Sequence, residues 1–219
     1  MGDTFYDIPK FPRTVVLMQT FFDVFIFFIF FIIIFYTGET IHRDRLTRYA
    51  HINDSLPTPN WVLNGSRLLS LIILSLFLSM IPLIMGVAIQ VIKGYLHFEF
   101  SIYFMEIFTL ILPRFLEMVI FSYFIHVLIN NKFAAHAIGI IIWVVLFFLH
   151  ISKVFNYNIL LFSYTPDYIV SDMNGIGHMW RPVFWFNLYW LLGSGLMIIA
   201  ASLFFYRGYQ QRLESDCNF

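Results

Sequence analysis

Charged residues inside apolar sequence are the first candidates for chemistry in this chain. Arg114 and Glu117 are three positions apart, so on a helix they share a face and can form an ion pair. Asp23 lies in another apolar run, four positions after Gln19. Charges are costly in hydrocarbon and should face other helices or water. Two interpretations remain open: Asp23 and Glu117 border a substrate or proton path, or the Arg114–Glu117 pair is a clamp that fixes helix packing.

A second candidate is the polar stretch TPDYIVSDMNGIGHMWRP, residues 165–182. Its potential ligands and turn residues are Ser171, Asp172, Asn174, Gly175, Gly177 and His178. Asp172 and His178 lie six positions apart, and the absence of a second histidine or cysteine nearby argues against a metal site. The two glycines instead predict a tight turn that lets this loop fold back on the rest of the protein.

Several function classes are excluded by the sequence. The chain has no GxxxxGK[ST] phosphate loop, no HExxH metalloprotease motif and no GxSxG nucleophile elbow, so we expect neither enzymatic activity nor a cofactor in it. A formal net charge of zero argues against nucleic acid as a partner. Cys217 is the single cysteine, which rules out an intrachain disulfide.

The composition indicates the class of protein in which these candidate residues lie. Hydrophobic residues make up 60% of the chain and charged residues 12%, which is typical of an integral membrane protein. The predicted fold is all-α, a single polytopic membrane domain over residues 1–219 with about five transmembrane helices. The predicted spans are 15–36, 68–92, 102–129, 133–151 and 183–206. The first would be about 33 Å long as a helix, enough to cross a hydrocarbon core of about 30 Å.

The segments between the spans set the topology. We predict an interfacial N-terminal segment at 1–14, a loop at 37–67, an outer loop at 152–182 and a polar tail at 207–219. Five spans place the termini on opposite sides of the membrane. The concentration of arginines in the 37–67 loop predicts that this loop and the C-terminus are cytoplasmic and that the N-terminus is outside.

Residues 38–67, the polar passage, form the one long polar stretch between two spans. Within it, the segment from Asp44 to Leu56 has apolar residues near helical spacing, and Pro57 and Pro59 follow. This pattern favours a short helix on the membrane surface. Such a helix can transmit movement from a soluble partner to the spans. The alternative is an ordinary charged loop that only fixes topology.

The order of residues in the polar passage resembles the type-2 ATP-binding-cassette exporter permeases. The features in common are a glutamate after a span, an arginine–acid–arginine cluster, and Thr-Pro before a hydrophobic turn and a basic residue. The matching residues are Glu39, Arg43, Asp44, Arg45, Leu46, Leu56, Thr58, Pro59, Trp61, Leu63 and Arg67. SDMNGIGH at 171–178 and WFNLYW at 185–190 resemble the last outer loop and final span of a subgroup often joined to a metallo-aminopeptidase-like domain.

The resemblance implies a permease subunit of an ATP-driven exporter in a bacterial inner membrane. A second permease half and a separate ATPase, which would hold ATP and magnesium, are the implied partners besides the lipid bilayer. Contact with the ATPase is expected at Glu39, Arg43, Asp44, Arg45, Arg48, Thr58, Pro59, Trp61 and Arg67. Such halves usually have six spans, so the missing one is expected before Val15, in a chain truncated or divergent there.

Two other functions remain open from the sequence. The same spans would serve a membrane anchor or scaffold that holds an extracytoplasmic peptidase or assembly factor at the bilayer. A third possibility is an ion-coupled carrier that uses Asp23 and Glu117.

Overall fold

The computed structural model of the protein describes residues 4–5, 8–9, 14–46, 59–94, 98–129, 131–152, 158–166, 168 and 176–204. Its long helices are α1 (Thr14–Leu46), α2 (Asn60–Ile92), α3 (Phe100–Glu106), α4 (Leu112–Leu128), α5 (Lys132–Ser152) and α6 (Trp180–Phe204). A π-helical segment, Ile107–Ile111, joins α3 to α4, and single 3-10 turns lie at Asn158–Leu160 and Gly177–Met179. Two-residue strands, Thr4–Phe5 and Ile8–Pro9, pair in a small antiparallel hairpin. The predicted all-α fold is confirmed.

With α3, the π segment and α4 counted as one continuous run, successive helices alternate in direction, which gives the bundle two distinct ends. Thr14 at the start of α1 accepts a hydrogen bond from Gln90 near the end of α2. Lys132 at the start of α5 is paired with Glu39 near the end of α1. We call the end with the α1 C-terminus the passage end, because the polar passage starts there. The opposite end, where α3 begins, is the loop end.

Helix α4 lies at the centre, packed against α1, α2, α5 and α6. Phe115, Met118 and Val119 on α4 are completely buried. Around this helix, Phe30 of α1 stacks on Trp143 of α5, with ring centroids 4.4 Å apart. Burial of these large apolar groups on all sides of α4 makes it the helix to which the others are fixed.

The outer faces of the bundle are apolar. Phe77, Ile92, Phe133, Leu196 and Leu203 are each more than two thirds exposed. So much exposed apolar surface is unfavourable in water and matches lipid. Among the described residues, four helical stretches are long and apolar enough to cross a membrane: Phe25–Arg43, Asn60–Ile92, Lys132–Leu149 and Gly177–Phe204. The protein is therefore embedded in a membrane.

The predicted third span, 102–129, corresponds to the continuous run formed by α3, the π segment and α4. This run contains three charged residues, Glu106, Arg114 and Glu117. The number of crossings, five, and the sides on which the termini lie stay predictions.

The two helices beside the polar passage extend beyond the predicted spans. Helix α1 continues through the predicted loop start at residue 37 to Leu46, and α2 begins at Asn60, before residue 67. Both helices have 33 residues, which corresponds to about 50 Å. Helix ends that project beyond the hydrocarbon are hydrated, so polar side chains there do not end a helix. Most of the surface helix predicted for 44–56 lies outside the described residues.

The other boundaries shift less. Helix α5 agrees with the predicted span 133–151 to within one residue at each end. Helix α6 begins at Trp180, inside the predicted outer loop 152–182 and before the predicted start of the last span at residue 183.

Candidate functional site

The described coupling residues of the polar passage lie on helix ends at the passage end. Glu39 and Arg43 are exposed on the last turns of α1, and Asp44 and Arg45 are among its final residues. Pro59 immediately precedes α2, Trp61 in its first turn is 76% exposed, and Arg67 is half-buried. Arg48 and Thr58 lie outside the described residues.

An ion pair ties the end of α1 to the start of α5. The Lys132 ammonium donates to Glu39 Oε1. Asn131 caps α5, because its Oδ1 accepts the backbone N–H groups of Phe133 at 3.0 Å and Ala134 at 3.3 Å. This cap starts α5 at the position that brings Lys132 to Glu39.

Three histidines from three different helices come together beside this ion pair. His42, His126 and His136 are all buried, with centroids 5.8 Å apart for His42 and His126 and 4.9 Å for His126 and His136. His126 Nδ1 donates to the Ser122 carbonyl at 2.8 Å, which leaves Nε2 to accept from His136 Nδ1 at 3.1 Å. Within the described part of the chain, no group of three His, Cys, Asp or Glu residues is arranged to hold a metal ion.

Gly38 makes room for these histidines. A Cβ at this position would lie 2.2 Å from His136 Cε1 and 3.0 Å from His126 Nε2. The rings therefore pack directly against the α1 backbone. The sequence gives no signal for this cluster, because its members come from three helices far apart in the chain.

The predicted intramembrane pair lies on the central helix. Glu117 is 2% exposed, and Arg114, one turn earlier, is half-buried and acts electrostatically on its carboxyl group. Ser163 lies beside Glu117 and comes from a different segment of the chain. Asp23 is in α1, but its side chain is outside the described structure. The two predicted roles of Glu117, bordering a substrate or proton path and fixing helix packing, both stay predictions.

Ser163 belongs to a segment that folds into the bundle between α4 and α6, from the level of Phe121 to that of Glu106. We call residues 158–166 and 168 the docked loop. Leu161, Ser163, Thr165 and Tyr168 of this loop are buried. Phe162 packs between Phe121 of α4 and Trp190 of α6, at 5.2 Å from each ring centroid. The loop is thus part of the core.

The outer-loop residues predicted from sequence are described only in part. Gly177 has a positive φ of 59°, in agreement with the turn predicted there. Next to it, His178 is exposed, whereas Ile176 is buried with Tyr168 and Val183. Ser171, Asp172, Asn174 and Gly175 lie outside the described residues.

A backbone carbonyl in the π segment connects the docked loop to α6. Pro113 has no N–H, so the carbonyl of Thr109, four residues earlier, lacks its α-helical donor. Asn187 of α6 donates to this carbonyl at 2.6 Å. The Thr165 hydroxyl in turn donates to Asn187 Oδ1 at 3.1 Å. Proline in the middle of a span thereby creates a polar attachment point.

Glu106 is a further polar residue at the loop end, besides Thr109, Thr165 and Asn187. Its side chain is fully buried, and Oε2 accepts a 2.7 Å hydrogen bond from the Tyr168 hydroxyl. Among the described residues, Oε1 has no hydrogen-bond partner. Burial raises the pKa of the Tyr168 phenol well above its usual range, so this group remains a donor. Glu106 is not among the site residues predicted from sequence, although a carboxylate inside the predicted span 102–129 was a usable signal.

The bundle therefore has charged and imidazole groups at the passage end, and buried carboxyl groups next to a docked loop at the loop end. Such groups can transmit movement between helices and can bind protons. Comparison with known proteins found no matching family model, no matching curated protein and no matching solved structure.

Proposed function

We propose that the chain is the permease subunit of an ATP-driven exporter of the ATP-binding-cassette type. In this proposal a separate ATPase acts on the polar passage. The observation that carries it is the length of the two helices bordering the passage. Each has 33 residues, or about 50 Å, against a hydrocarbon core of about 30 Å. In the proposal, the excess length carries the end of α1 and the start of α2 beyond the hydrocarbon, within reach of a soluble protein.

The packing of α1 supports transmission of movement from the passage to the core. Phe30, Ile33 and Ile34 of α1 are completely buried, while the same helix continues to Leu46. A continuous helix resists bending because every interior backbone group is hydrogen-bonded. The Glu39–Lys132 pair extends the connection to α5. A force on the passage would therefore act on α1 and α5 around the central α4.

The proposed mechanism follows from that connection. ATP and magnesium bind to the partner, whose closure displaces the cytoplasmic passage. This displacement tilts α1, α2 and α5 relative to α4 and changes access to a path between the chain and a second permease half. The exposed apolar faces remain in contact with lipid, with the N-terminus outside and the C-terminus in the cytoplasm.

The test is co-purification from the native membrane in mild detergent. We expect the chain to carry with it an ATPase of the ATP-binding-cassette class, measured as vanadate-sensitive ATP hydrolysis. Reversing two charges, Arg43→Glu with Arg45→Glu, should remove most of this activity. Lys93→Glu is the matched control, since Lys93 is an exposed cation at the loop end.

Equal ATPase recovery with the double variant and with the control would contradict coupling through the passage. Recovery of a peptidase or assembly factor without any ATPase would instead favour the anchor function.

A further inference from the structure

The docked loop has a conformation that depends on its contacts. Ser163 has a φ of 59°, in the left-handed region that non-glycine residues adopt infrequently. Such a residue keeps its conformation when the surrounding structure holds it there. Here the holding contacts are the packing of Phe162 and the hydrogen bonds of Thr165 and Tyr168. Weakening one of them should allow the loop to leave the bundle.

The Tyr168–Glu106 contact can change with conditions, because one of its partners is an acid. Docking of the loop places Tyr168 against Glu106, and the carboxyl group is then completely buried. An ionised carboxylate in an apolar interior is strongly disfavoured, and one hydrogen bond from a phenol offsets only part of that cost. The docked arrangement therefore favours the neutral, protonated carboxyl group.

The hydrogen-bond pattern agrees with a protonated Glu106. Oε2 accepts from Tyr168, as a carbonyl oxygen does, and Oε1 receives no donor from any described residue. Oε1 is thus the oxygen available to carry the proton. A proton needs neither a cavity nor a set of ligands. A metal ion would need several ligands, and the described part of the chain has no group of three His, Cys, Asp or Glu residues that could hold one.

The neighbouring groups leave the charge of Glu106 uncompensated. Among described titratable groups, Tyr168 is the one that acts on this carboxyl group, while the Arg114 charge acts on Glu117 and on the Tyr168 phenol. Helix α2 brings Gln90 and α6 brings Asn187, which are neutral, and Tyr103 on the same run donates to Gln90. Asp23 of α1 is the remaining acid to be tested.

We propose that Glu106 is a proton-binding site whose occupancy decides whether the docked loop stays in the bundle. A proton from water binds Oε1 and keeps the loop docked. Loss of this proton leaves a buried negative charge, which becomes hydrated when the loop moves out and the Tyr168–Glu106 hydrogen bond breaks. Docking should therefore be complete at low pH and be lost as pH rises. The proposal concerns contacts within one chain and does not require the exporter function.

The test follows the loop with a spin label in nanodiscs. Leu160→Cys places the label on an exposed position of the docked loop, in a Cys217→Ser background that removes the native thiol. We expect label mobility to increase as pH rises. Glu106→Gln keeps the shape of the side chain but cannot ionise, so its label should stay immobile at every pH. Glu117→Gln and Asp23→Asn should retain the pH response.

Two results would overturn the proposal. One is a label whose mobility does not depend on pH in the parent background. The other is a response that persists in Glu106→Gln, or that disappears in Glu117→Gln or Asp23→Asn instead. Infrared spectra give a check that does not involve the loop: the parent should show the C=O band of a protonated carboxyl group that Glu106→Gln lacks. Equal spectra would count against Glu106 as the site.

Discussion

The two ends of the bundle use polar groups in different ways. At the passage end, the Glu39–Lys132 pair and the His126–His136 hydrogen bond join helices to one another. At the loop end, helix-to-helix bonds such as those of Gln90 and Asn187 are also present, but the bonds of Thr165 and Tyr168 join helices to a connecting segment. Bonds of the first kind must break if the helices separate. Bonds of the second kind can break while the helices stay together, so the loop end can open without loss of the fold.

The largest loss of stability is expected from a methyl group added at the passage end. Gly38→Ala places Cβ 2.2 Å from a histidine ring that is buried and hydrogen-bonded, so α1 has to move. Overpacking of this kind costs about 1–3 kcal/mol, and we expect the upper end of that range. Thermal melting in detergent measures the loss. Gly65→Ala is the control: its Cβ meets nothing within 4 Å, and it should stabilise by about 0.5–1 kcal/mol.

A comparable change at the loop end should cost less. At Gly86 an added Cβ would lie 2.9 Å from the Tyr103 ring, a longer distance than at Gly38. Gly86→Ala should therefore lower the melting temperature less than Gly38→Ala does. The reverse order would show that the loop end is the more rigid of the two, and our comparison would be wrong.

An intermediate effect is expected when the docked loop loses its attachment to α6. Asn187→Ala removes the donor to the Thr109 carbonyl and the acceptor of the Thr165 hydroxyl. Leaving buried polar groups without partners costs about 1–3 kcal/mol. We expect faster proteolysis within the docked loop than in the parent protein. Ser202→Ala, which removes an exposed bond to the carbonyl of Ile199, should change neither stability nor cleavage.

The smallest effect is expected from the ion pair at the passage end. Lys132→Met and Glu39→Gln each remove one partner of an exposed pair, and such pairs contribute little because water and salt screen them. A double-mutant cycle of melting temperatures should show a weak coupling that disappears at high salt. A strong coupling that persists in salt would mean that the pair is shielded, for example by a bound partner.

The main features of the fold were predictable because they follow from local sequence. Apolar runs of membrane-spanning length identify helices. The predicted spans stop short of the end of α1 and the start of α2, because hydropathy reports where a helix leaves the lipid, and a helix in water can continue to Leu46.

The polar clusters were not predictable in the same way. His42, His126 and His136 lie on three helices, so their contacts depend on packing that no local spacing reveals. The docking of Tyr168 on Glu106 joins residues 62 positions apart in sequence. The sequence was sufficient to select Glu106 as an intramembrane acid, but it was not sufficient to identify Tyr168 as its hydrogen-bond partner.

Pro113 also constrains the position of α6 along the membrane normal. The amide of Asn187 must reach the Thr109 carbonyl, because Thr109 is buried in the bundle and Pro113 cannot supply the α-helical donor. A shift of α6 by one helical turn, about 5.4 Å, would withdraw that amide. The absence of one backbone hydrogen atom in the third apolar run thus fixes the depth of the last helix.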